Sequence, residues 1–197
     1  MQRREVESAV EKAFPSLSDF DALNLVNLLL NIQCRDESVE LTITSSINSK
    51  VHLQQNQIVV QEMLHNAQER ITMTGYSMSD YFSDYIDLLI DKSQKGVLVQ
   101  IFFNRADKQE QIEKLVRYRG KYLRLYDYQN SKDKMSALHA KVISVDREKT
   151  LISSANLSYH GLEGNIEIGT LIISKQIADQ LSKTFQSLVM NKTFKLI

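Results

Sequence analysis

Four residues in the second half of this chain are of types that do chemistry on anions. His139 and Lys141 stand two apart in a segment, Leu138 to Val145, that reads as a strand. Side chains two apart on a strand point to the same face. Their apolar neighbours make that face core, where an imidazole and an amine are costly unless they act. A second strand, Thr150 to Ser153, follows the polar turn Asp146-Arg147-Glu148-Lys149 and runs into Ser154-Ala155-Asn156. A histidine, an amine, a hydroxyl and an amide converging at one sheet edge make an anion site with a nucleophile in it.

The same residues carry a resemblance. The phospholipase D-like superfamily is marked by His-x-Lys, four residues, Asp, six residues, then Gly-Ser-x-Asn. His139, Lys141, Asp146, Ser154 and Asn156 match in type and spacing, and Ser153 stands in the place of the glycine. Downstream, Gly164-Asn165-Ile166-Glu167 resembles the stretch in which the family carries a glutamate that orients the histidine. The loop Leu157 to Leu162, the strand end Gly75-Tyr76-Ser77 and the Gly96-Val97 junction also look like the family's. The resemblance covers residues 56–189.

The resemblance implies a phosphodiesterase. An unprotonated His139 would attack phosphorus and form a phosphohistidine. Lys141 and Asn156 would hold the non-bridging oxygens, and Ser154 would add a hydroxyl donor. Glu167 would fix the tautomer of His139, and Asp146 would be structural. The scheme needs no metal and no cofactor. The chain shows no paired cysteines and no His-Glu-x-x-His. Family members use a second histidine as general acid, yet this chain has one motif. His52 and His65 read as exposed histidines, and His160 either touches substrate or is a loop histidine of no special role. The missing acid then comes from a second copy, in a homodimer with the site on its two-fold axis. Tyr76, at a strand's carboxyl end, either lines the site or packs.

The elements that position these residues alternate between helix and strand. Gln57–Glu69, Asp80–Ser93, Gln109–Tyr118 and Ile177–Val189 read as helices; Arg70–Tyr76, Val97–Phe103, Tyr122–Tyr128 and Glu167–Ile173 read as strands. Such alternation indicates an α/β sheet flanked by helices on both faces, and the resemblance implies the phospholipase D-like mixed sheet. Before it, Arg4–Phe14 and a helix begun by Ser18-Asp19 form an N-terminal helical appendage. The expected domains are 1–50 for the appendage and 51–197 for the catalytic domain.

Composition narrows the partners. The 197 residues hold 24 basic and 24 acidic side chains, so no globally basic binder is indicated. The stretch 117–134 is locally basic, with Arg117, Arg119, Lys121, Arg124, Lys132 and Lys134 against Asp127 and Asp133. Arg117, Arg119 and Lys121 are candidate contacts to a polyanion; the alternative is a solvated surface. The single cysteine, Cys34, suits a reducing compartment. No targeting segment or membrane-spanning run is visible, which points to the cytoplasm without stable membrane insertion. Small single-motif members of the family resemble nucleases, so DNA or RNA is the favoured substrate. The layout also resembles a phospholipase D-like subunit of a bacterial anti-phage defence system, implying protein partners of that system. The competing readings are a phospholipase and a non-catalytic nucleic-acid-binding subunit.

Overall fold

A computed structural model describes residues 3–33, 37–45, 52–75, 80–106, 112–129 and 136–197. The chain divides into two units, Met1–Glu37 and Ser38–Ile197.

The first unit is a helical hairpin of α1 (Arg3–Ala13) and α2 (Asp19–Gln33). Pro15 lies in the turn between them, and Ser18 caps α2 by accepting from Asp21 N at 3.2 Å. Val6, Val10 and Val26 are buried together, with Leu25, Leu29 and Leu30 packed around them. The apolar stripe anticipated from the sequence therefore closes in part on itself.

The second unit is built on one mixed sheet. Among the described residues its strands are β1 (Ser38–Thr44), β2 (Gln54–Gln55), β3 (Arg70–Gly75), β4 (Leu98–Phe103), β5 (Leu123–Tyr128), β6 (Val142–Val145), β7 (Lys149–Ser153), β8 (Glu167–Ile173) and β9 (Phe194–Leu196). Their order is β2-β1-β8-β7-β6-β3-β4-β5-β9. β3, β4 and β5 are parallel, linked through α4 (Ser83–Gln94) and α5 (Ile112–Arg117). β6, β7, β8 and β1 follow, each antiparallel to the strand before it in the sheet, and β2 pairs parallel with β1.

Continuous apolar strands bury both faces. On one face Ile71, Met73, Val99, Ile101, Leu123, Leu125, Ile143 and Val145 pack with Val59, Val60, Met63 and Leu64 of α3 (Asn56–Asn66) and with Ile86 and Leu89 of α4. On the other, Phe102 stacks on Tyr126 at 4.7 Å and meets Phe185 of α6 (Lys175–Met190) at 4.3 Å and Phe194 at 5.0 Å. The fold class read from the sequence is the one observed.

Three details differ from the sequence reading. Residues 38–44 join the sheet through β1 rather than the appendage, so the division falls after Glu37 and not at residue 50. β6 begins at Val142, so residues 138–141 precede the ladder. A π-helical turn, His160–Gly164, replaces the loop expected after Asn156.

Candidate active site

The register of the sheet locates the site. β6 runs antiparallel to β3, with Met73 opposite Ile143 and Ile71 opposite Val145. The segment before β6 therefore lies at the carboxyl end of the parallel strands, where open α/β sheets gather ligands. Thr74 shapes it: its hydroxyl accepts from Val142 N at 3.0 Å and donates to Ala140 O at 2.6 Å. Residues 138–141 leave the ladder at this point. His139 is consequently exposed and Lys141 half-buried, not core-facing as the strand reading implied.

Lys141 Nζ lies 3.0 Å from His139 Nδ1 and 3.1 Å from Nε2, and donates to His139 O at 2.9 Å. Nearly equal distances to both ring nitrogens place the ammonium over the imidazole. Burial lowers the Lys141 ammonium from its ordinary value, and the carboxylate of Glu167 opposes that shift.

The β7–β8 side brings the other members. Ser154 hydrogen-bonds the Glu167 carboxylate through its hydroxyl. Asn165 Nδ2 donates to the same carboxylate at 3.0 Å, and Ile168 N donates to Ser154 Oγ at 3.2 Å. Lys141 and Asn156 line one small cavity of about 20 Å³, together with Thr74 and Ser153. That is room for roughly one water molecule. Asn156 Oδ1 is buried without a hydrogen-bond partner, a cost tolerated mainly where a group has work to do. Gly161 approaches Asn156 so closely that a Cβ there would stand 2.2 Å from Asn156 O. His160 opens the π-helical turn with its ring exposed.

Asp146 stands at the other end of β6. Its carboxylate accepts from the backbone N–H groups of Gln68 at 2.9 Å, Glu69 at 2.7 Å and Arg70 at 2.9 Å. It closes the β6–β7 turn onto the start of β3, away from His139. The left-handed backbone at Asp146 and Arg147, φ 52° and 56°, makes that turn.

The described part of the basic strip does not reach this site. Arg117, Arg119 and Lys121 are exposed around the connection from α5 to β5, at the amino end of β5. That end carries Asp146, and it is one strand length, roughly 20 Å, from the His139 end. Tyr76, Lys132 and Lys134 lie outside the described residues. The sequence reading missed Thr74, Asn165 and the Tyr81–Glu163 pair. Glu163 accepts from Gln57 Nε2 at 2.9 Å and from the Tyr81 hydroxyl. Burial and this carboxylate push the Tyr81 phenol up from its usual value. Among the described residues no group of three or more His, Cys, Asp or Glu is placed to hold a metal ion, and no helix is long and apolar enough to cross a membrane.

A mixed sheet with a histidine and a lysine at its switch edge is the arrangement of a phosphodiesterase superfamily, and comparison with known proteins assigns it. Residues 60–189 match the family model of the PLD-like domain described for cardiolipin synthase. The chain belongs to the phospholipase D-like family. It is 36% identical over 184 residues to the DISARM protein DrmC of Bacillus paralicheniformis, covering 92% of this chain and 76% of that protein. Among solved structures it resembles the phospholipase D family member Nuc of Salmonella typhimurium, with TM-score 0.61 and 19% identity over 82% of this chain and 99% of that one. It also resembles TrmBL2, an archaeal chromatin protein described as showing a novel mode of DNA binding. There the TM-score is 0.53, with 14% identity over 95% of this chain and 66% of that one. These two likenesses are of fold.

Proposed function

We propose that this chain is a metal-independent nuclease that hydrolyses DNA or RNA through a phosphohistidine at His139, acting as a homodimer in cytoplasmic anti-phage defence. The observation that carries the reading is the contact of Lys141 Nζ with the His139 ring, which sets a cation beside an imidazole nitrogen. That nitrogen attacks phosphorus, and the bond to the leaving oxygen breaks. Lys141 and Asn156 offset the charge on the phosphoryl oxygens, and Ser154 adds a donor. His139 of a second copy protonates the leaving oxygen, then takes a proton from the water that releases the phosphoryl group from the first histidine. Glu167 orients the imidazole in this scheme.

Similarity to a DISARM protein supports the defence setting and protein partners from such a system. A phage invader presents nucleic acid, and the DNA binding described for TrmBL2 agrees with that target. For the dimer, Val39, Leu41, Ile152 and Ile168 are exposed on one face of β1, β8 and β7. Contiguous apolar surface of this kind suits a partner.

The second reading is lipid phosphodiester hydrolysis, favoured by the cardiolipin synthase description of the matching model. The test incubates the protein in excess chelator with plasmid, oligonucleotides and phosphatidylcholine vesicles, beside His139→Ala. Nucleic-acid cleavage that survives chelator and vanishes in the variant is expected. Cleavage restored only by a divalent ion contradicts the mechanism. Release of headgroup alone replaces the substrate class, and binding without cleavage leaves a non-catalytic subunit.

A further inference from the structure

The segment behind Asn156 offers a surface for a base. Tyr159 is three residues past Asn156, so their Cα atoms lie within about 11 Å. It is 51% exposed. Its ring meets Tyr81 at 5.8 Å with an interplanar angle of 73°, and His160 at 5.5 Å with 72°, both edge-to-face.

The backbone that carries this ring is held from several sides. Thr44 Oγ1 donates to Gly161 O at 2.9 Å. Leu162 N donates to Ser158 O at 2.9 Å, and Asn165 N to His160 O at 2.7 Å. Glu163 is tied to Gln57 on α3 and to Tyr81. The close approach of Gly161 to Asn156 joins the turn to the catalytic amide. Such anchoring is more than an idle surface tyrosine needs. A ring ordered in advance loses little entropy when a flat ligand covers it.

We propose that Tyr159 is a stacking platform for a nucleobase next to the scissile phosphate, so that the strand is cut where it is single-stranded. The proposal rests on the nuclease reading. In a duplex both faces of a base are covered by its neighbours, and only an unstacked base can lie on a protein ring. Stacking uses the π-face that all bases share, so it selects for single strands without selecting sequence.

The test measures affinity by fluorescence anisotropy on full-length protein carrying His139→Ala, so that the strand is not consumed. The ligands are a single-stranded oligonucleotide, the same strand with an abasic site scanned along it, and its duplex. Stacking on one ring is worth about 5-fold to about 100-fold in affinity. The protein should bind the intact strand more tightly than the best-placed abasic strand by that factor, and more tightly than the duplex. In Tyr159→Ala the ratio of intact to abasic affinity should fall to about one, and in Tyr159→Phe it should persist. Far-UV circular dichroism matching that of the parent shows that Tyr159→Ala is folded, so that a ratio of one reports the lost ring. An unchanged ratio in Tyr159→Ala, or a ratio lost in Tyr159→Phe, overturns the platform while the nuclease reading stands. A protein that hydrolyses bis-(p-nitrophenyl) phosphate yet neither binds nor cleaves any strand overturns both.

Discussion

The hydroxyl of Thr74 occupies the place of the next rung in the β3–β6 ladder, between Val142 N and Ala140 O. A threonine in a strand reads as an ordinary strand former, and its capacity to replace a backbone partner shows only once that partner is in place. This is why spacing sufficed to single out His139 and Lys141 while their burial was misjudged. Glu167 was singled out by the resemblance of the stretch Gly164 to Glu167 to the family's. Its bonds to Ser154 and Asn165 were not, because they depend on how β7 and β8 meet. Lys141 yields a prediction at this scale. Its ammonium is lowered by burial, so the charge is destabilising to the fold. Below its folded-state value both folded and unfolded chains carry the charge and the penalty is complete. The penalty is relieved as pH rises from the folded value toward the ordinary lysine value of about 10.4. Lys141→Met is therefore expected to leave the melting temperature unchanged or higher. Turnover should fall on the order of 10²-fold or more, as loss of a charge-stabilising donor does. In the unmutated protein turnover should decline on the alkaline side at a pH below that of an ordinary lysine. A melting temperature several degrees lower in Lys141→Met would show that the amine holds the fold instead.

The strands flanking β3, β4 and β5 were legible in uneven degree. β4, apolar but for Gln100, declared itself. β1 alternates Val39, Leu41 and Ile43 with Glu40, Thr42 and Thr44, a strand signal that the sequence reading passed over. Its burial runs against the pattern: Val39 is 70% exposed and Thr42 fully buried. Thr42 Oγ1 donates to Asn56 Oδ1 at 2.5 Å, and Asn56 Nδ2 donates to Thr44 Oγ1 at 3.1 Å, so this polar pair is satisfied beneath the sheet. Alternation predicts two faces but does not say which is covered. The β6–β7 turn carries the prediction at this scale. Asp146→Ala removes the acceptor of three backbone N–H groups, and a loss on the order of 2 kcal/mol is expected. Chemical denaturation should show it as a lower midpoint. Turnover per folded molecule should change far less than in the Lys141 variant. A collapse of turnover with unchanged stability would move Asp146 into the chemistry.

Across the whole molecule, the His139 end of the sheet and the end bearing Arg117, Arg119 and Lys121 are separate. The basic stretch lies close to the motif along the chain, but α5 delivers Arg117, Arg119 and Lys121 to the far edge, and β5 then leads back toward the site. The proposed homodimer makes the last prediction. Wild-type protein co-assembled with an excess of His139→Ala should lose activity roughly as the square of the wild-type fraction, because mixed pairs lack either nucleophile or acid. A linear fall, with a monomer mass for the active species by light scattering, would place a complete site in each chain. β6 connects the two ends of the sheet, with the Lys141 amine just before it and the Asp146 carboxylate just after it. The four residues between lysine and aspartate thus act as a ruler laid across the sheet, with Asp146 as the fixed mark. With Asp146 fixed, one residue added to that interval or removed from it would turn the side chains before it, His139 and Lys141 among them, to the opposite face. The motif's spacing is in this sense a measured length, set by the distance from the anchored turn to the reacting edge.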